Sequence, residues 1–292
     1  MRKNDKLRNN KNKHSFRKKL LLESFLATLF VFLVLWLFFI TIKISFKPFN
    51  YVAKALKEVQ LTDMYFSQLQ SNNVDTNIVL VNIEDIDRQS IAALIQKIDS
   101  AGPRVIGMDV FFVDRNDSLG DPALKKVFNT VGNKLVLSVF INPETKLPDE
   151  KYKYFKNVIY GHANLPNNEN NTNVIRWFNP QIKSEDQPIW AFSAMIAKAY
   201  SDTSFKVFEK RSDDQEQINY SGDINSYLLL NHDEIMQKKN SELSFLKGKI
   251  VMIGYLGGQC RTTDDMNDKF YTPVNPVYYG RSLPDMFGLV IH

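Results

Sequence analysis

The sequence predicts an α/β fold, a three-layer, largely parallel or mixed sheet with flanking helices, preceded by one transmembrane helix. Three observations predict it. Residues 24–42, SFLATLFVFLVLWLFFITI, form a run without a charge between Glu23 and Lys43. Residues 77–83 and 104–112 each read as a short buried strand, and between them Ile91, Leu94, Ile95 and Ile98 recur at helical spacing. Late in the chain GKIVMIG, residues 248–254, is another apolar strand.

A helix of 19 residues rises about 28 Å at ~1.5 Å per residue, the thickness of a bilayer's hydrocarbon core. This run has no polar stripe at 3.6-residue spacing, whereas a surface helix of a soluble domain needs one. Residues 20–46 are therefore assigned to a membrane-spanning helix, and the lipid bilayer is the first expected partner. Residues 1–19 carry nine basic side chains against Asp5, a net +8 that the positive-inside rule keeps in the cytoplasm. A cleavable signal peptide would have an apolar region of roughly 7–15 residues ending in small side chains. Here the run passes into Lys43-Ile44-Ser45-Phe46-Lys47, so an uncleaved signal anchor is expected.

Overall charge is misleading in this chain. Its net +5 falls to −4 for residues 48–292 once the +8 of the tail and the +1 of residues 20–47 are removed. A mildly acidic domain lacks the basic footprint of a phosphate-backbone binder, so no nucleic-acid partner is expected. The single cysteine, Cys260, forms no intramolecular disulfide, and with four histidines it supplies neither a Cys/His metal cluster nor a redox pair. No cofactor and no metal are expected.

Beyond the membrane, residues 47–72 place Val52, Leu56, Val59, Met64, Phe66 and Leu69 at spacings that suit a helical connector. The domain proper is expected over 73–292. Its first strand, 77–83, leads to a helix that Asp85 or Asp87 is placed to cap and that Ala101-Gly102-Pro103 ends. With the strand at 104–112 this makes a βαβ unit, whose strands should be parallel. Pro122 marks the start of the next helix, followed by strands at 134–140 and 158–163. Residues 188–200 show a helical apolar face through Ile189, Phe192, Ile196 and Tyr200, and 201–216 read as an exposed irregular stretch. Residues 218–222 and 227–230 read as strand ends, and 232–239 as a short helix.

In a parallel sheet the carboxyl ends of the strands form the natural crevice for ligands. Glu84 and Asp85 follow the first strand, Asp109 closes the second, and Gly254–Gly258 follows a late one. If those strands are neighbours, the acids converge on a site for a polar or cationic small molecule or a divalent ion. The structural alternative ties Asp109 to backbone amides and leaves the others as solvated caps. The glycine loop matches neither G-x-G-x-x-G nor the P-loop, no G-x-S-x-G elbow is present, and His162 and His232 are assigned to surface or core hydrogen bonding.

Four segments together resemble the second type of CHASE domain, the cyclase and histidine-kinase associated sensory extracellular domain. They are NIVLVNIEDIDRQSIAALIQKI with RVIGMDVFF; Ile175-Arg176-Trp177 followed by PIWAFSAMIA; INYSGD; and LKGKIVMIGYLGGQC, DKFYTPV and MFGLVIH. The resemblance implies a membrane-anchored bacterial receptor, with an exported α/β domain preceding further membrane helices and a cytoplasmic output; no catalytic domain is expected in these residues. Its matching positions point to Asp109, Arg176, Asp268 and Thr272 as ligand-binding candidates, with structural roles for Phe270 and Pro273. Asp87-Arg88-Gln89 stands where such domains often carry a Trp/Pro/Arg stretch, and relatives continue into membrane helices past the position of His292.

The expected function is thus a receptor domain on the outer side of the bacterial inner membrane, N-terminus inside, that detects a small molecule through Glu84, Asp85, Asp109, Arg176, Asp268 and Thr272. A homodimer is compatible with that role, although residues 24–42 contain no small-xxx-small motif. An envelope-anchored interaction protein and an anchored hydrolase are the alternatives.

Overall fold

The computed structural model describes residues 19–38, 61–66, 74–112, 117–148, 155, 158–166, 174–184, 188–211, 214–257, 268–274 and 286–292. The sequence also predicts a polar, Asn-rich loop over 164–173; its residues 167–173, Cys260 and most of the connector lie outside the described residues. Contacts divide the chain into two units, Met1–Val59 and Gln60–His292. In the first, helix α1 (Lys19–Phe38) has 20 residues, all of them exposed. At ~1.5 Å per residue it is long enough, and apolar enough, to cross a bilayer.

The second unit opens with the short helix α2 (Leu61–Phe66), so part of the expected connector belongs to it. Six strands follow: β1 (Asp75–Asn82), β2 (Val105–Asp109), β3 (Leu135–Val139), β4 (Ile159–His162), β5 (Tyr227–Asn231) and β6 (Ile250–Gly254). They form one sheet in the order β4-β3-β2-β6-β1-β5, parallel at every pairing. Helix α3 (Arg88–Ser100) connects β1 to β2 and helix α4 (Gly120–Val131) connects β2 to β3. The βαβ unit is present, but β6 inserts between its strands and pairs Leu80 with Met252 and Ile106 with Val251.

Alternation along the strands explains the layers. Val79 and Val81, Ile106 and Met108, Leu135 and Leu137, Val251 and Ile253 face α3 and α4, while Leu80, Val105, Val136 and Met252 face the opposite side. There they meet Phe192 and Ile196 of helix α5 (Phe192–Tyr200) and Leu289 of helix α8, introduced below. Both faces are therefore buried, and the strands read as continuous apolar runs. Leu94, Ile95 and Ile98 of α3 are fully buried, each stabilising the fold by about 1.5–3 kcal/mol. Asp87 supplies the α3 cap, accepting from the Ser90 amide at 2.7 Å.

Two expectations need correction. The exposed stretch after α5 contains helix α6 (Asp202–Arg211), because Phe205 and Phe208 pack on Trp190 and give the segment an apolar face. Residues 227–230 are not a strand end but the core of edge strand β5, whereas 218–222 form no strand; Glu216–Gln217 pairs instead with Trp177–Phe178. Helix α7 (His232–Gln237) follows β5, and α8 (Gly288–Ile291) ends the described residues before His292.

Candidate functional site

The carboxyl ends of β2, β3 and β4 open into a crevice of about 520 Å³. Asp109, the last residue of β2, lies in register with Gly254 of β6 and forms part of its floor. Phe140 and Ile141 continue from β3, and Ala163 and Asn164 from β4. The opposite wall is a ribbon of Lys269–Phe270 with Met286–Phe287, which brings in Asp268, Phe270, Gly288 and His292.

Asp268 reaches this position through a left-handed backbone, φ 54°, which Asp tolerates better than most residues. Its carboxylate lies over the first residue of α8, where a Cβ on Gly288 would sit 2.9 Å from Asp268 Oδ1. A side chain there would push the Asp268 carboxylate aside. Lys146, φ 53°, also lines the crevice, so two of the three non-glycine residues with positive φ among the described residues are at this site. Burial of its carboxyl, and then the charge of Asp109, push Asp268 up to about 7, against hydrogen bonding from the Gly288 backbone. The residue as a whole stands exposed at the rim, where water screens the pair. Burial lowers His292, while Asp109 pulls it the other way.

Behind a shared wall of Asn164, Leu165, Asn179 and His292 lies a second cavity of about 300 Å³. Asn164 is a rigid part of that wall, since its side chain accepts from the Ile141 amide and donates to the Ile141 carbonyl, both at 2.8 Å. His162, at the end of β4, is 1% exposed and lines this cavity. Neither of its ring nitrogens finds a hydrogen-bond partner at bonding geometry. Burial first, then the charge of His292, hold it down to about 4, although the backbone of Asn179 favours the protonated form. Of the two places expected for His162, the surface and the core, the core is the one found, with the ring acted on by the Asn179 backbone but making no hydrogen bond at bonding geometry.

The other candidates lie apart from the crevice. Glu84, φ 50°, and Asp85 form the turn after β1, with the Glu84 amide donating to Asn82 Oδ1 at 3.1 Å, and neither residue lines the crevice. Arg176 is 3% exposed and pairs with Asp63 of α2 through Nε–Oδ1 at 2.8 Å and Nη2–Oδ2 at 2.5 Å. Thr272 is buried at 3% exposure beyond the crevice ribbon, and Pro273 is buried beside it. Phe270 is half-buried and lines the crevice.

Three residues were passed over in the sequence. Asn82, an amide inside an apolar strand, accepts from the Leu256 amide at 2.9 Å and donates to the Gly257 carbonyl at 2.8 Å, joining β1 to the loop after β6. Its polarity in a buried run was the available signal. Asp63 was hidden in a helical pattern, and His292 had no sequence neighbour to mark it.

No metal-binding group of three or more His, Cys, Asp or Glu side chains occurs among the described residues. A family model described as CHASE2 domain matches residues 29–292. The chain belongs to that family of sensory extracellular domains, and none of its described residues forms a recognised catalytic domain. No curated protein and no solved structure matches the chain.

Proposed function

From membership of the CHASE2 family, we propose that this chain is a membrane-anchored sensor whose domain lies outside the bacterial inner membrane and takes a polar or cationic small molecule in the strand-end crevice. One observation carries the reading: a crevice of ligand size at the carboxyl ends of parallel strands, with Asp109 and Asp268 on facing walls. Anchoring rests on α1 and on the net +8 tail, which orients it with the N-terminus in the cytoplasm.

Connected contacts support a relay. The ribbon bearing Asp268 and Phe270 continues to Tyr271, whose carbonyl accepts from the Ile175 amide at 2.8 Å. Arg176 comes next and grips Asp63 on α2, the described segment of the connector. Tyr220 supports the joint by donating to the Ile175 carbonyl at 3.0 Å and by packing on Phe66 at 6.1 Å. On this reading, ligand that moves the ribbon moves α2, and the movement is passed to the membrane helix of a homodimer.

The full chain in lipid nanodiscs, screened by thermal shift against polyamines, amino acids and divalent cations, tests the reading. A ligand at 100 times its Kd stabilises the folded state by about 2.7 kcal/mol by mass action. Asp109→Asn with Asp268→Asn should remove that stabilisation. Failure of every cationic and polar compound to raise the midpoint would count against a ligand in this crevice.

A further inference from the structure

The second cavity differs from the crevice in chemistry, and His162 decides how. Its backbone is clamped on two sides: His162 is in register with Val139 of β3 and bridges Ala191, and the Ala163 amide donates to the Val139 carbonyl at 3.0 Å. Gly161 before it lies under α5, where a Cβ would come 2.5 Å from Phe192 Cα. The backbone that carries the ring is thus held on both sides. A buried polar group without a partner is costly, and protein interiors seldom keep one without a use.

A neutral imidazole offers one N–H donor and one lone pair. His162 lines a cavity together with the aromatic residues Phe178 and Phe208 and the uncharged polar residues Asn179, Ser193 and Asn219. Among the described residues, Glu216 is the one carboxylate of this lining. A volume of about 300 Å³ stands at the lower end of small-molecule sites. Ring faces, a paired donor and acceptor, and little charge define a ligand class.

We propose that this cavity is a binding site for an uncharged, single-ring heteroaromatic or aromatic amide, whose donor–acceptor edge pairs with His162 and whose ring lies between Phe178 and Phe208. The site is separate from the crevice, so a failure of cations to bind at Asp109 leaves it standing, and the converse also holds.

The test uses the full chain in nanodiscs with ¹⁵N-labelled histidine, titrated with uracil and nicotinamide as neutral probes and with nicotinate and benzylamine as charged ones. At least one neutral probe should shift the His162 ring nitrogens and saturate, with both charged probes about tenfold weaker or worse. His162→Phe should weaken the neutral probe about tenfold, the loss of roughly two neutral hydrogen bonds. His162→Gln, which keeps a donor and an acceptor, should recover part of that loss. Ring signals that stay unmoved by both neutral probes at millimolar concentration, an internally hydrated histidine only, would overturn the proposal. So would equal shifts with benzylamine. The wild-type titration decides even if His162→Phe fails to fold.

Discussion

The two cavities share Asn164, Leu165, Asn179 and His292 but have opposite electrostatics. In the crevice, burial and then the charge of Asp109 raise the Asp268 carboxyl to about 7, and the rim is open to water. In the second cavity a histidine is buried so completely that burial keeps its proton off. The difference arises from where each group sits on the same sheet edge. Asp268 is carried by a ribbon outside the sheet, whereas His162 is the last residue of β4 and lies beneath α5. One wall therefore separates a site suited to positive charge from one suited to none.

Breaking the support common to both sites should give the largest effect. Arg176 and Asp63 are almost wholly buried, and Arg176 stands between the Ile175–Tyr271 bond on the crevice side and the Ile218 amide, which donates to the Arg176 carbonyl at 2.9 Å, on the other. Arg176→Met leaves Asp63 charged without its partner and should cost about 3–5 kcal/mol. Pairing it with Asp63→Leu should recover most of that loss, because removing both charges also removes their desolvation penalty. Denaturant unfolding of the three variants measures this; a loss under ~1 kcal/mol for the single variant would mean the pair does not hold α2.

His162 supplies the next effect, through pH. Its proton affinity falls from 6.5 to about 4 on folding, so between those values the unfolded chain binds more protons than the folded one. Stability from this group is complete above pH 6.5 and is lost as pH falls toward 4, on the order of 3 kcal/mol in all. The difference in unfolding midpoint between wild type and His162→Gln, followed from pH 7 to 4, should shrink accordingly. A constant difference would place His162 in contact with water.

The periodic parts of this domain were legible in the sequence because burial on both faces of a parallel sheet leaves unbroken apolar runs. The runs 77–83, 104–112 and 248–254 each hold a strand, at Asp75–Asn82, Val105–Asp109 and Ile250–Gly254, and Ile91, Leu94, Ile95 and Ile98 all face the core. Strand order was not legible, since nothing local in GKIVMIG says that it inserts between β1 and β2. Helix α6 was missed because its two phenylalanines stand among charges and find Trp190 only in the folded chain. At the site, Asp109 was readable from its place at a strand end. Its proximity to Asp268 depends on a ribbon of two residues per strand, too short to show periodicity. Arg176 was singled out in sequence, but its partner is 113 residues away.

Asp268 should give the smallest effect and one of opposite sign to His162. Its carboxyl is raised from 3.8 to about 7, so over that window the folded chain holds more protons than the unfolded one. Stability then falls as pH rises, and the whole penalty is present above pH 7. Because Asp268 stands at an exposed rim, screening makes the slope shallow. Asp268→Asn should flatten it, raising stability at pH 8 while changing little at pH 4. The same ionisation gives the crevice its second negative charge, so affinity for a cationic probe such as spermidine should climb between pH 5 and 8 in wild type and stay level in Asp268→Asn. Superimposable stability curves for the two proteins would show that Asp268 is not raised by its neighbours. Asp268 would then be ionised across the whole range from pH 5 to 8, the crevice would carry both negative charges throughout it, and the contrast with the His162 cavity would not change with pH.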